Sequence, residues 1–168
     1  MRYKIWIYGL GILICMSCQR KAFQSDILCI LNMKAKEIKC LDAYHQFGGF
    51  GEGFILEEYS LSPRSVADFL YLKNKVLPSR NTTDSWQKLD WKQGPTEEGL
   101  EELFLLCLSY EDGNKRITQQ LKELRQLVEH TWVYYSFYYQ PSLEIPEVVQ
   151  LFILDTRTKK IYAIESSI

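Results

Sequence analysis

Few side chains in this 168-residue chain have the chemistry of a catalyst: two histidines, five cysteines and a handful of paired carboxylates. Zinc or triad chemistry needs several such groups in one place, because zinc takes three or four Cys, His or carboxylate ligands. His45 has Asp42, Glu52 and Glu57 near it along the chain, but a strand histidine that packs or makes one hydrogen bond is the preferred reading. His130 follows a stretch rich in Lys, Arg and Gln, where a partly cationic ring suits a helix C-terminus. The pairs Glu57-Glu58, Glu97-Glu98 and Glu101-Glu102 invite the two-carboxylate chemistry of glycoside hydrolysis. Glu97 and Glu98 are already explained by a helix N-terminus, whose dipole favours acids. The glycine cluster of residues 48–53 lacks the Gly-Lys-Ser/Thr of a phosphate loop and runs into a strand, when a phosphate cradle needs a helix start. It reads as a hairpin turn that displays Phe50 and Glu52 at a sheet end, where they can meet a partner. No catalytic residue, metal or cofactor is expected.

Cys18 is different, because its surroundings specify a reaction. Arg2 and Lys4 precede an apolar run from Ile5 to Met16, and Ser17-Cys18 closes it. A cationic start, a short apolar core and a small-residue junction are the parts of an export signal. The core is too short to span a bilayer, which takes about 20 apolar residues. The junction resembles the lipobox of bacterial lipoproteins, with Cys15 standing where that motif usually has Leu. The resemblance implies cleavage after residue 17 and acylation of the Cys18 thiol, and two or more acyl chains anchor a protein stably. The expected organisation is a signal peptide over 1–17, a lipidated Cys and tether over 18–25, and a single domain over 26–168. The domain is expected in the bacterial cell envelope, moored to a membrane outside the cytoplasm.

The elements that must position these residues emerge from periodicity. Asp26 to Lys36 reads as a first helix, Glu37 to Phe47 as a strand and Phe54 to Ser60 as its hairpin partner. Ser62 suits an N-cap and Pro63 the first helical position, so a helix opens there and ends before Pro78. Residues 78–95 look irregular, with Trp86, Leu89 and Trp91 pinning the connection to the domain. Thr96 caps a helix bearing Leu100, Leu103, Phe104 and Cys107 at helical spacing, and Ile117, Leu121, Leu124, Leu127 and Val128 mark the next. Trp132 to Tyr139 alternates as a strand that is aromatic on both faces, Tyr134 and Tyr138 on one and Tyr135, Phe137 and Tyr139 on the other. One face must be core while the other is covered by a helix or offered to a ligand. Tyr134 and Tyr138 therefore join Phe50 and Glu52 as candidate partner-binding residues. Glu147 to Leu154, a turn through residues 155–160 and Ile161 to Glu165 form a closing hairpin. The fold expected is α+β, an antiparallel sheet with about three helices packed on one face.

The formal charge is −1, and losing Arg2 and Lys4 with a signal that holds no carboxylate takes it to −3. Nucleic acid demands a basic face, so it is not an expected partner. Cys107 lies in an apolar run and reads as a small buried hydrophobe. Cys29 and Cys40 are the pair that an oxidising compartment would join, two unpaired thiols being the preferred alternative. Through residues 44–53, Leu61-Ser62-Pro63, residues 86–89 and residues 155–162, the chain resembles a family of uncharacterised small bacterial lipoproteins of Bacteroidota-like kind. Some of its members resemble toxin-immunity proteins. That resemblance implies an α+β fold in a bacterial envelope and transfers no functional residue. The function expected is protein binding, to a toxin or envelope protein, with the membrane engaged through the lipid. The alternatives are an enzyme of unfamiliar type using Glu52, Glu57 or His45 on an envelope polymer, and a structural subunit of a surface complex. Intact-mass analysis of the native product should find residues 1–17 gone and Cys18 acylated; an intact Met1 with an unmodified thiol contradicts the anchor.

Overall fold

Strands that are apolar on both faces need cover from two sides, and the computed structural model supplies it. It describes residues 21–49, 52–72, 86–144 and 146–167. These form α1 (Gln24–Ile30), a 3-10 turn (Ala35–Glu37), β1 (Ile38–Phe47), β2 (Gly53–Leu61), α2 (Pro63–Leu72), β3 (Gln87–Gln93), α3 (Glu101–Leu108), α4 (Lys115–Leu127), β4 (Val133–Pro141), β5 (Pro146–Asp155) and β6 (Lys160–Ser167). The strands make one six-stranded sheet in the order β1-β2-β6-β5-β4-β3, antiparallel throughout. The fold is α+β, as the periodicity predicts.

Among the described residues the helices number four and lie on both faces, where about three on one face were expected. Leu103, Phe104 and Cys107 of α3 and Ile117, Leu121 and Leu124 of α4 pack on Leu56, Tyr135, Phe137, Leu151, Ile153 and Ile164. Phe23 and Ile27 at α1 and Val66 and Phe69 of α2 pack on Tyr59, Tyr134, Phe152, Leu154 and Ile161. The reason is visible in β4 and β5: each alternates between two apolar sets, and leaving either set wet would forfeit roughly 25 cal/mol per Å² of apolar surface. Aromatic rings meet edge-on in both layers, Phe104 with Phe137 at 4.9 Å and Phe69 with Tyr134 at 5.2 Å.

Local chemistry moves some boundaries. Ser62 caps α2 as predicted, its Oγ accepting the Ser65 N–H at 3.1 Å, and Asn114 caps α4 by accepting the Arg116 and Ile117 N–H groups. Thr96 caps nothing; its hydroxyl donates to Glu129 at 2.7 Å, and Gly99 takes a φ of +89° before α3 begins. The acids in the first turn of α3 are therefore Glu101 and Glu102, not Glu97 and Glu98. The segment expected to be irregular holds β3. Its alternation is broken by a register shift between Leu89 and Lys92, so Leu89 packs with the α3–α4 layer and Trp91 with the α1–α2 layer. Cys29, Cys40 and Cys107 are free thiols, and Cys107 is fully buried.

Gly94 ends β3 where it meets the connection from α4 to β4. Its N–H donates to the Val133 carbonyl at 2.9 Å, and a Cβ there would collide with the carbonyl oxygens of Val128 and His130. Both obstacles are backbone, so Gly94→Ala should lower stability by about 1–3 kcal/mol, the usual cost of overpacking. A urea midpoint equal to that of the parent protein would contradict this close approach.

Candidate functional site

Glu57 is the most constrained polar group of the sheet. It sits in the middle of β2 with no exposed surface, facing the α1–α2 layer. A buried carboxylate must be matched by donors. Oε1 accepts the Ala22 N–H at 2.8 Å and lies 2.7 Å from His45 Nε2, while Oε2 accepts the Phe23 N–H at 3.1 Å and the Tyr59 hydroxyl. Four donors occupy the roughly four lone-pair positions that a carboxylate offers. No acceptor site is left to take a proton from a substrate. The group is thus a structural pin that fastens the backbone at Ala22 and Phe23 to the sheet. Burial, and then the neighbouring Glu57, push the Tyr59 hydroxyl far above its ordinary value. The same two causes in the same order raise the Cys40 thiol, which keeps its proton and is a poor nucleophile.

The next residue, Glu58, points to the other face and into a cleft of about 570 Å³ between α4 and the strands β1, β2 and β6. Glu58 faces Tyr162 directly across the β2–β6 ladder. Lys160 Nζ lies 2.7 Å from Glu58 Oε1, and Gln120 reaches Oε2 at 3.5 Å. A bulge in β1 between Cys40 and Asp42 turns Asp42 toward the same space, where it pairs with Arg116 from the first turn of α4. Asp155, at the end of β5, is held by the N–H groups of Arg157 and Thr158 and by the Thr158 hydroxyl at 2.6 Å. Leu124 and Leu127 of α4 supply the apolar part of the lining. Burial raises the Tyr162 hydroxyl, and Glu58, Asp155 and Glu123 raise it further. Chemically the cleft is a fixed pattern of paired donors and acceptors beside an apolar strip. Such an arrangement can recognise a polar partner without first rearranging.

The residues singled out in the sequence are scattered. Cys18 and Phe50 lie outside the described residues. Glu52 is exposed beside the glycine turn, which closes through the Gly48 N–H donating to the Glu52 carbonyl at 2.8 Å. It borders a separate recess of about 260 Å³ with Gln46, Tyr110 and Ser167. Tyr134 and Tyr138 are only 5% and 3% exposed, packed under the α1–α2 layer, so that face of β4 is core and not a contact surface. His45 and Glu57 do meet, yet Glu52 stands apart from them. Among the described residues, no three His, Cys, Asp or Glu side chains are grouped to hold a metal ion. His130 stacks on Trp132 at 4.1 Å just beyond α4, and Arg157 lies over the same indole at 3.4 Å.

Asp42, Glu58, Arg116, Asp155 and Tyr162, the cleft residues, escaped the sequence reading as a set. Four of them belong to strands or strand ends far apart in the chain, and only the sheet order brings them together. Comparison with protein-family models, with curated proteins and with solved structures finds no match. Roles therefore rest on the geometry alone.

The raised tyrosines make a pH prediction. Below pH 10 both states hold the phenolic proton; above it the unfolded chain releases protons that the native fold retains on Tyr59, Tyr135 and Tyr162. Stability should therefore fall as pH rises past about 10, with wholly buried Tyr59 contributing up to about 1.4 kcal/mol per pH unit. Urea midpoints across pH 7–11 check this. Tyr59→Phe should lower the plateau and flatten the alkaline limb; an unchanged slope contradicts the assignment.

Proposed function

We propose that this is a lipid-anchored envelope protein that works by binding a protein partner, as an immunity or inhibitor module would. The observation that carries the reading is the cleft on the α4 side of the sheet, where opposite charges from separate elements stand pre-paired. A partner meeting such a surface pays little to order it, and preorganised charge patterns give specificity and fast association. The signal-like start with Cys18 and the resemblance to small envelope lipoproteins speak for the location. Among the described residues no helix is long and apolar enough to cross a membrane, and a lipid anchor asks for none.

The enzymatic alternative loses its main residues. Glu57 has spent its acceptors on the fold, and Glu52 does not share a recess with His45. The partner class that the reading favours is a toxin or hydrolase that acts close to the membrane.

The pairs in the cleft rim are partly exposed, Arg116 at 55% and Lys160 at 37% of their side-chain surface. Exposed ion pairs such as Asp42–Arg116 contribute about 0–1 kcal/mol to stability; Glu58 is only 15% exposed, so a parent-like circular-dichroism spectrum of the variant is the control before binding is compared. Reversing both charges with R116E and K160E should weaken the partner complex at least about tenfold, or 1.4 kcal/mol. R64E, on the opposite layer, should leave it intact. Pull-downs from envelope extracts that recover the same proteins equally with all three forms would remove the cleft as the binding surface.

A further inference from the structure

The pin at Glu57 fixes where the anchor leaves the domain. Ala22 and Phe23 are tied by their N–H groups to a carboxylate that faces the α1–α2 layer, and the Phe23 ring is buried in that layer against Phe152. Cys18 is four residues before Ala22. Even fully extended, those residues reach about 14 Å. A domain of this size has a radius of gyration of about 15 Å. Across the three layers, helix to sheet to helix, the thickness is roughly 30 Å at about 10 Å per packed layer. A tether half as long as the domain is thick cannot carry the anchor round to the α3–α4 side.

The layer from which the tether leaves is also dressed for lipid. Tyr71 and Leu70, near the end of α2, are 77% and 38% exposed. Tyr is suited to the headgroup depth, with an apolar ring and a wet hydroxyl. Lys21, Lys34 and Lys36 are exposed around the entry of the chain and ahead of β1. Their charge complements anionic headgroups, while their aliphatic stems can lie along the apolar surface.

We infer that the α1–α2 layer rests on the lipid surface, and that the sheet thereby holds the cleft on the side facing away from the bilayer. This rests on the proposed lipid anchor and adds an orientation to it. A partner would then approach from the aqueous side and meet Arg116, Glu58 and Lys160 first, without having to enter the headgroup region.

The test uses the full acylated protein in vesicles of phosphatidylethanolamine and phosphatidylglycerol. Cys29→Ser and Cys40→Ala clear the accessible native thiols, and a fluorophore is placed by Ala67→Cys on α2 or by Gln126→Cys on α4, both exposed positions. Lipids carrying a headgroup-level nitroxide should quench the label at 67 and leave the label at 126 bright. Equal quenching at the two positions, or stronger quenching at 126, in protein that floats with the vesicles overturns the orientation while leaving the anchor standing. Protein that fails to float removes the anchor, and the orientation with it. Leu70→Ser with Tyr71→Ser should narrow the contrast between the two labels; an unchanged contrast takes those two side chains out of the contact.

Discussion

The last strand of the chain is the one that joins the sheet. β6 pairs with β2 on one side and β5 on the other, so the hairpin of β1 and β2 and the group β3-β4-β5 share a ladder only through it. Ile161 and Ala163 face one core and Ile164 the other, which makes both helical layers depend on its insertion. The cleft sits on this junction. Its walls come from β2, from β6 and from the end of β5, and it exists only where the two halves have been stitched together.

Two adjacent glutamates show how strand geometry divides labour. Because successive side chains in a strand point to opposite faces, Glu57 goes inward beneath α1 and Glu58 outward under α4. Burial decides the rest. Glu57 needs four donors to exist where it is, and it takes two of them from the backbone at the entry of the domain. Glu58 keeps partial access to solvent and needs only Lys160 and Gln120. One carboxylate is consumed by the fold and its neighbour stays paired at the cleft, still in reach of solvent.

The α+β class, the cap at Ser62, the closing hairpin and the burial of Cys107 were legible, because each depends on near neighbours or on a simple period, whereas the cap at Asn114 was not singled out. β3 was not. It is a polar edge strand whose bulge sends Leu89 and Trp91 to opposite sides, so the period-two signal that marks a strand is missing. The second helical layer was half legible: Tyr134 and Tyr138 announced an apolar face needing cover, but nothing local said whether a helix or a ligand would provide it. The cleft was the least legible part. Asp42 is aimed by a bulge, Arg116 by a helix start some seventy residues later, and only the strand order makes them neighbours.

Both outermost strands carry an irregularity, β1 between Cys40 and Asp42 and β3 between Leu89 and Lys92. A regular outer strand offers a row of unsatisfied N–H and carbonyl groups to any copy that slides alongside, and bulges and lysines are the usual deterrents. With Lys39 and Lys88 flanking these kinks, neither border of the sheet presents a neighbouring strand with an unbroken row of pairing groups.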